Sequence, residues 1–253
     1  MVGLKPGKAG SAGRFNGMHP IRWVPPGAGS LLDVGCNVGV FLSLCDATHP
    51  GMELAGVEVN PEALDAARRR LPDADLRLAS AHDLPFEDRA FDCLTCIEVL
   101  EHIPAELRPR SLAEMHRVLR PGGRLVLRVP HAGAFAFLDS NNLRFRFPRL
   151  YRGLIGRGLR DRGYENSGSA VVWHHHFTNR ELLGVAGDGW ELESSRRGGL
   201  LIFPLIDLAR WPFYRAGLGD HAMSRLLERV ADLDIGFDYG RTSFDVLMIL
   251  RRV

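Results

Sequence analysis

The chain lacks the features that would tie it to an oxidising compartment. Only four cysteines, Cys36, Cys45, Cys93 and Cys96, occur in 253 residues. That is no disulfide framework, so a reducing cytoplasm is the expected location. Cys93 and Cys96 form a lone CxxC inside an apolar run; three positions apart on a strand, they face opposite ways and read as reduced core thiols. No apolar stretch approaches the ~20 residues needed to cross a bilayer, so no transmembrane segment is expected. The opening MVGLKPGKAGSAGRFNG has no apolar stretch of the signal-peptide kind, and residues 1–24 read as a flexible, glycine-rich leader. An excess of one charge sign is lacking too: the net charge is +2, too small to attract nucleic acid in bulk, and no RNA-binding module is appended. No nucleic-acid partner is expected. There is no internal repeat.

What is present is ordinary globular material, 45% apolar and 25% charged, sufficient for a sizeable core in one α/β domain with lid insertions. Short apolar runs alternate with helical spacing. Strands are expected at Ser30–Gly35, Glu53–Val59, Leu76–Ala79, Phe91–Ile97, Arg124–Val129, Trp190–Arg197 and Phe244–Arg251. Helices are expected at Val38–Thr48, from Asn60-Pro61 onward, at Ala105–Leu119 and after Thr178. Such alternation implies βαβ units, a mainly parallel sheet covered on both faces, and ligands outside the carboxyl ends of the strands. Residues 25–253 make the main domain, interrupted by insertions at about 131–177 and 198–242.

The chemistry-bearing motifs fall at those strand ends. In Asp33-Val34-Gly35-Cys36-Asn37-Val38-Gly39 a strand ends, glycines permit a tight turn, and a helix begins, so a ligand can reach main-chain amides. The GxGxxG spacing of a dinucleotide site is absent. Glu58 closes the second strand, where an acid can accept hydrogen bonds from ribose hydroxyls.

These two motifs, with Gly56–Pro61, Leu84-Pro85-Phe86, Phe91-Asp92 and Leu119–Gly123, resemble the motif series of class I S-adenosylmethionine-dependent methyltransferases over about residues 30–130. The resemblance implies a Rossmann-like, doubly wound, seven-stranded and mostly parallel sheet whose last strand is antiparallel. It implies S-adenosylmethionine as cofactor, held by Asp33, Gly35, Cys36, Asn37, Gly39, Glu58, Val59, Ser80, Ala81, His82 and Glu98. Asp33, Gly35 and Gly39 would surround the methionine part and Glu58 the ribose. Ser80 stands where the family commonly has an acid at the adenine amino group, and Asn37 replaces a frequent glycine; asparagine tolerates left-handed backbone. Glu98-Val99-Leu100-Glu101-His102 resembles the segment lining the acceptor side.

Methyl transfer to an alcohol benefits from a general base, most often histidine. His131, His175 and His176 are the catalytic candidates, with His174 beside them in a consecutive triple. No metal site is expected, because consecutive histidines do not readily converge on one ion and no partnered cysteine or acid pattern accompanies them. Between Arg144 and Arg162 seven arginines interleave with aromatics, a pattern suited to a phosphate, a sugar or an anionic membrane surface. The apolar stretch 200–214 suits peripheral membrane contact, a pocket wall or a homodimer contact. The resulting expectation is O-methylation of a small molecule, glycan, lipid-linked or natural-product acceptor. The alternatives are N- or C-methylation and a non-catalytic cofactor-fold protein.

Overall fold

The computed structural model describes residues 15–134, 136–138, 142, 174–199, 206, 223, 226–227, 230 and 234–253. Its strands are β1 (Ser30–Val34), β2 (Glu53–Glu58), β3 (Asp75–Leu78), β4 (Phe91–Ile97), β5 (Leu119–Pro130), β6 (Trp190–Gly198) and β7 (Asp245–Arg252). They form one sheet in the order β3-β2-β1-β4-β5-β7-β6. The first five pair in parallel, and β7 runs antiparallel between β5 and β6. The strand order reverses at β1/β4, and sheets of this kind bind ligands outside the carboxyl ends of the strands at such a point.

Burial on both faces explains why the strands read as nearly continuous apolar runs. Leu32, Val34, Leu94 and Cys96 pack into one layer, while Leu31 and Cys93 pack into the other. The CxxC cysteines are therefore buried thiols on opposite faces of β4, and all four cysteines are unpaired with one another.

The helices begin where side chains can take up orphan amides. Helix α1 (Val40–Thr48) starts after Gly39 in left-handed conformation. Helix α2 (Pro61–Arg70) is capped by Asn60, whose side chain accepts from the amides of Glu62 and Ala63, and ends in three arginines that complement its dipole. The helix expected from Ala105 starts as a 3-10 turn, Ala105–Leu107, before α3 (Arg108–Val118). It stops before Pro121 because the residue preceding a proline avoids the helical region. Strand β5 then begins five residues earlier than the apolar pattern suggested: Leu119 pairs with Phe91 across a register shift in β4. Helix α4 (Asn179–Ala186) is capped by Thr178, which accepts from the Glu181 amide.

Residues 15–24 correct the reading of a wholly flexible leader. His19 caps a 3-10 turn at Pro20–Trp23, and Met18, Ile21 and Val24 are buried in the β1-side core. Arginines tie the segment down: Arg124 donates to the Trp23 carbonyl, and the Arg196 guanidinium lies 5.3 Å from the Trp23 ring centroid. The arginine-rich run 144–162 and the stretch 200–214 lie outside the described residues, apart from Ile206, which is buried.

Candidate functional site

Gly35 has φ +80°, Asn37 φ +49° and Gly39 φ +74°, three left-handed residues in five positions. This geometry explains the residue choice: only glycine and asparagine adopt it at low cost. The amides of Gly35 and Cys36 donate to the Val57 carbonyl at 2.8 and 2.9 Å, fastening the loop to β2. The Asn37 side chain accepts from the Val38 amide at 2.7 Å, a local bond that stabilises the turn where a glycine would offer none. A Cβ at Gly35 would lie 2.4 Å from Val99 Cγ2, so the loop and the segment after β4 are in direct contact.

Glu58 is almost fully buried at the end of β2. Its Oε2 accepts from the Asn37 amide at 2.9 Å, and its Oε1 accepts from the amides of Val59 and Asn60 at 2.8 and 2.9 Å. One carboxylate thus joins the β1 loop to the start of α2. Asp33, at the end of β1, accepts from Thr95 Oγ1 at 2.6 Å across the β1–β4 ladder. Burial pushes its pKa up to about 7, opposed by the Thr95 bond and reinforced by the Glu58 charge. Cys36 beside them has its thiol pushed up by burial and by both carboxylates, so it stays protonated. Ser80 and His82 engage each other, Oγ to Nδ1 at 2.6 Å, around a turn closed by the Asp83 amide on the Ser80 carbonyl, and Ala81 is buried.

Beyond β4, Glu98 has φ +55°, and its amide donates to the Arg128 carbonyl. Arg128 bridges Glu98, at 3.3 Å, and Asp245 on β7. Burial raises the Asp245 pKa, and Arg128 opposes the shift. Glu101 follows with its side chain fully buried, and neither oxygen has a hydrogen-bond partner.

The candidate histidines divide. His131 is buried at the end of β5, its Nδ1 3.0 Å from the Ser243 carbonyl, and burial lowers its pKa. It pins β5 to the approach to β7. His174 and His176 share one side of their segment, rings 6.0 Å apart, while His175 turns to the other and places Nε2 2.6 Å from Glu181 Oε1. Adjacent histidines thus point to opposite sides of the segment. A cleft of about 360 Å³ is lined by His175, Glu181, Glu101, Ile103 and Arg108. Glu101 belongs to the segment whose resemblance implied the acceptor side, whereas Glu181 and Arg108 were not singled out from sequence. Glu181 was legible as the third residue after a threonine cap; Arg108, whose guanidinium lies 4.9 Å from the Phe177 ring centroid, carried no signal.

Comparison with known proteins decides the family. Residues 32–127 match the methyltransferase domain family. The phthiotriol/phenolphthiotriol dimycocerosates methyltransferase of Mycobacterium leprae is 31% identical over 192 residues, 71% of this chain and 69% of that one. The chain belongs to the class I S-adenosylmethionine-dependent methyltransferases. A demethylmenaquinone methyltransferase of Symbiobacterium thermophilum is 38% identical over 104 residues, 38% of this chain and 40% of its own. The chain spans only 33% to 40% of the length of that and two other curated relatives. Among solved structures, a methyltransferase of Methanosarcina mazei matches with TM-score 0.56 at 20% identity, covering 92% of this chain and 95% of that one. The geranyl diphosphate C-methyltransferase of Streptomyces coelicolor A3(2) matches with TM-score 0.55 at 17% identity, covering 88% and 71%. These two likenesses concern the fold.

S-adenosylmethionine is the cofactor of this methyltransferase family, and groups at the carboxyl ends of β1 and β2 suit it. A carboxylate offers about four lone-pair positions. Three are taken at Glu58 by backbone amides, which leaves one acceptor position that would suit a ribose hydroxyl.

Proposed function

We propose that this methyltransferase transfers a methyl group to a hydroxyl of a small-molecule, sugar or lipid-linked acceptor, with His175 as general base. The observation that carries the reading is the His175–Glu181 pair, 2.6 Å apart in a cleft on the β4 side of the sheet. With Nε2 donating to Glu181, Nδ1 keeps its lone pair for an acceptor proton. Glu181 is itself oriented by its place in the first turn of α4, its amide bonded to Thr178. The cofactor, when bound, supplies an electrophilic methyl on a sulfonium that departs without protonation. The chain's own residues hold it by Glu58 and the Asp33–Gly39 loop, align the acceptor hydroxyl, and remove its proton at His175. Alignment alone supplies much of the rate in such displacements.

The hydroxyl reading has support from the extent of the relatives. The Mycobacterium leprae enzyme, named for a triol, aligns over 192 residues, well past the cofactor half. The match to a ubiquinone/menaquinone C-methyltransferase of Geobacter covers only 40% of this chain and 45% of its own, less than the Mycobacterium leprae match. Transfer from S-adenosylmethionine labelled in its methyl group, offered to panels of polyol, sugar and phenol acceptors, tests the reading. With an acceptor in hand, His175→Ala should slow single turnover by about 10²–10⁴-fold with cofactor affinity unchanged. An unchanged rate would remove His175 from the mechanism, and methylation at carbon or nitrogen would overturn the hydroxyl assignment.

A further inference from the structure

Glu101 is anomalous. A carboxylate with its side chain 0% exposed and no hydrogen bond to either oxygen carries a desolvation cost that no hydrogen bond offsets. What surrounds its Oε1 is imidazole nitrogen: His174 Nε2 at 3.6 Å and His102 Nε2 at 3.9 Å. Both distances are too long for hydrogen bonds. The three donor atoms lie within 4.8 Å of one another, and the two rings are 4.8 Å apart between centroids at an interplanar angle of 50°.

We propose that Glu101, His102 and His174 form a binding site for a divalent transition-metal cation. Two neutral imidazoles and one carboxylate are a zinc-type donor set, which leaves a fourth position open. Bonds of 2.0–2.2 Å in tetrahedral array put donors about 3.4 Å apart, so the site closes by roughly an ångström around the ion. The three ligands come from two separated segments. Glu101 and His102 sit on the turn after β4, whose entry is held by the Glu98 amide on the Arg128 carbonyl. The His174 backbone is clamped by the buried Asn142, which donates to its carbonyl at 2.8 Å and accepts from its amide at 2.9 Å. No metal site was expected, because consecutive histidines do not readily converge on one ion and the sequence shows no partnered cysteine or acid pattern. The fold instead takes one of the three and brings it to an acid–histidine pair more than seventy positions earlier.

Glu101 also lines the His175 cleft, which sets the cation beside the acceptor space. The open position suits an oxygen donor of the acceptor, and a bound cation lowers that oxygen's pKa. This last step rests on the methyl-transfer reading; cation binding itself does not.

The test uses the full chain stripped with chelator, then titrated with Co²⁺ and, in competition, Zn²⁺. Wild type should bind one equivalent and develop the intense visible d–d bands of a low-coordinate cobalt site. Glu101→Gln, which keeps the shape and removes a buried charge, should weaken binding by at least about 100-fold while melting, metal-free, no lower than wild type. His102→Ala, at a half-exposed ring, serves as a second variant with the same expected loss. His116→Ala, at a ring engaged by the Gly189 carbonyl, should change nothing. Absence of the cobalt bands in wild type, or affinity indifferent to Glu101→Gln and His102→Ala, would overturn the site. A cobalt spectrum without methyl transfer to any hydroxyl would defeat the functional reading and leave the cation site standing.

Discussion

Glutamine at position 58 should behave unlike the conservative change it resembles. Both oxygens of Glu58 accept backbone amides, Oε2 from Asn37 and Oε1 from Val59 and Asn60. A glutamine has one acceptor and one donor end, so whichever way it turns an NH2 faces a main-chain N–H. Two outcomes follow for the protein without cofactor. The carboxamide either leaves its seat or strands at least one amide, and a stranded buried group costs about 1–3 kcal/mol. For a chain of this size that is roughly 2–12 °C of melting temperature. On the proposed role of Glu58 at the ribose, cofactor affinity should fall as well, by a charged acceptor worth about 1.5–3 kcal/mol, or about 10–150-fold in Kd. Glu58→Ala loses the same affinity, while water replaces its carboxylate at the amides, so its stability loss should be no greater than that of Glu58→Gln. Differential scanning fluorimetry of the three proteins, with S-adenosylhomocysteine titrated by calorimetry, measures both effects. Should Glu58→Gln match wild type in melting temperature and in Kd, the three-amide arrangement is not what holds the loop.

Asp33 gives a pH-dependent prediction. Its carboxyl is raised from an ordinary 3.8 to about 7 by burial, so its contribution to stability is present below pH ~4 and lost as pH rises to about 7. Asp33→Asn should flatten the fall in melting temperature across that window in cofactor-free protein; an unchanged profile counts against a buried, shifted Asp33. Gly35→Ala combines φ +80° with a Cβ 2.4 Å from Val99 Cγ2. It should cost about 2–5 kcal/mol by denaturant melts, and a loss below 1 kcal/mol would show that the loop yields. Glu181→Gln, at the partner of His175, should lower turnover with cofactor Kd unchanged, and an equal rate would show that His175 needs no orienting acid.

What the sequence by itself determined is mostly local. The alternation of apolar runs and caps located the seven strands, and Asn60-Pro61 and Thr178 marked two helix starts to the residue. Asp33, Gly35, Gly39 and Glu58 were legible because each owes its identity to one local demand: a left-handed turn or a carboxylate at a strand end. The beginning of β5 was not, since Leu119 extends as a strand only through pairing with Phe91. Nor was the packing of residues 15–24, whose composition reads as leader but whose Met18, Ile21 and Val24 fill space left by β5 and β7. The acceptor side was the least legible. Four side chains meet there from separated parts of the chain: Glu101, His174, His175 and Arg108. Whether a histidine faces Glu181 or Glu101 depends on a half-turn of backbone in a segment paired to β5 by one bridge, His131 to Phe177. Periodicity and capping operate over a few residues, whereas a buried carboxylate acquires its neighbours only when distant segments close over it, and that closure belongs to the tertiary structure alone.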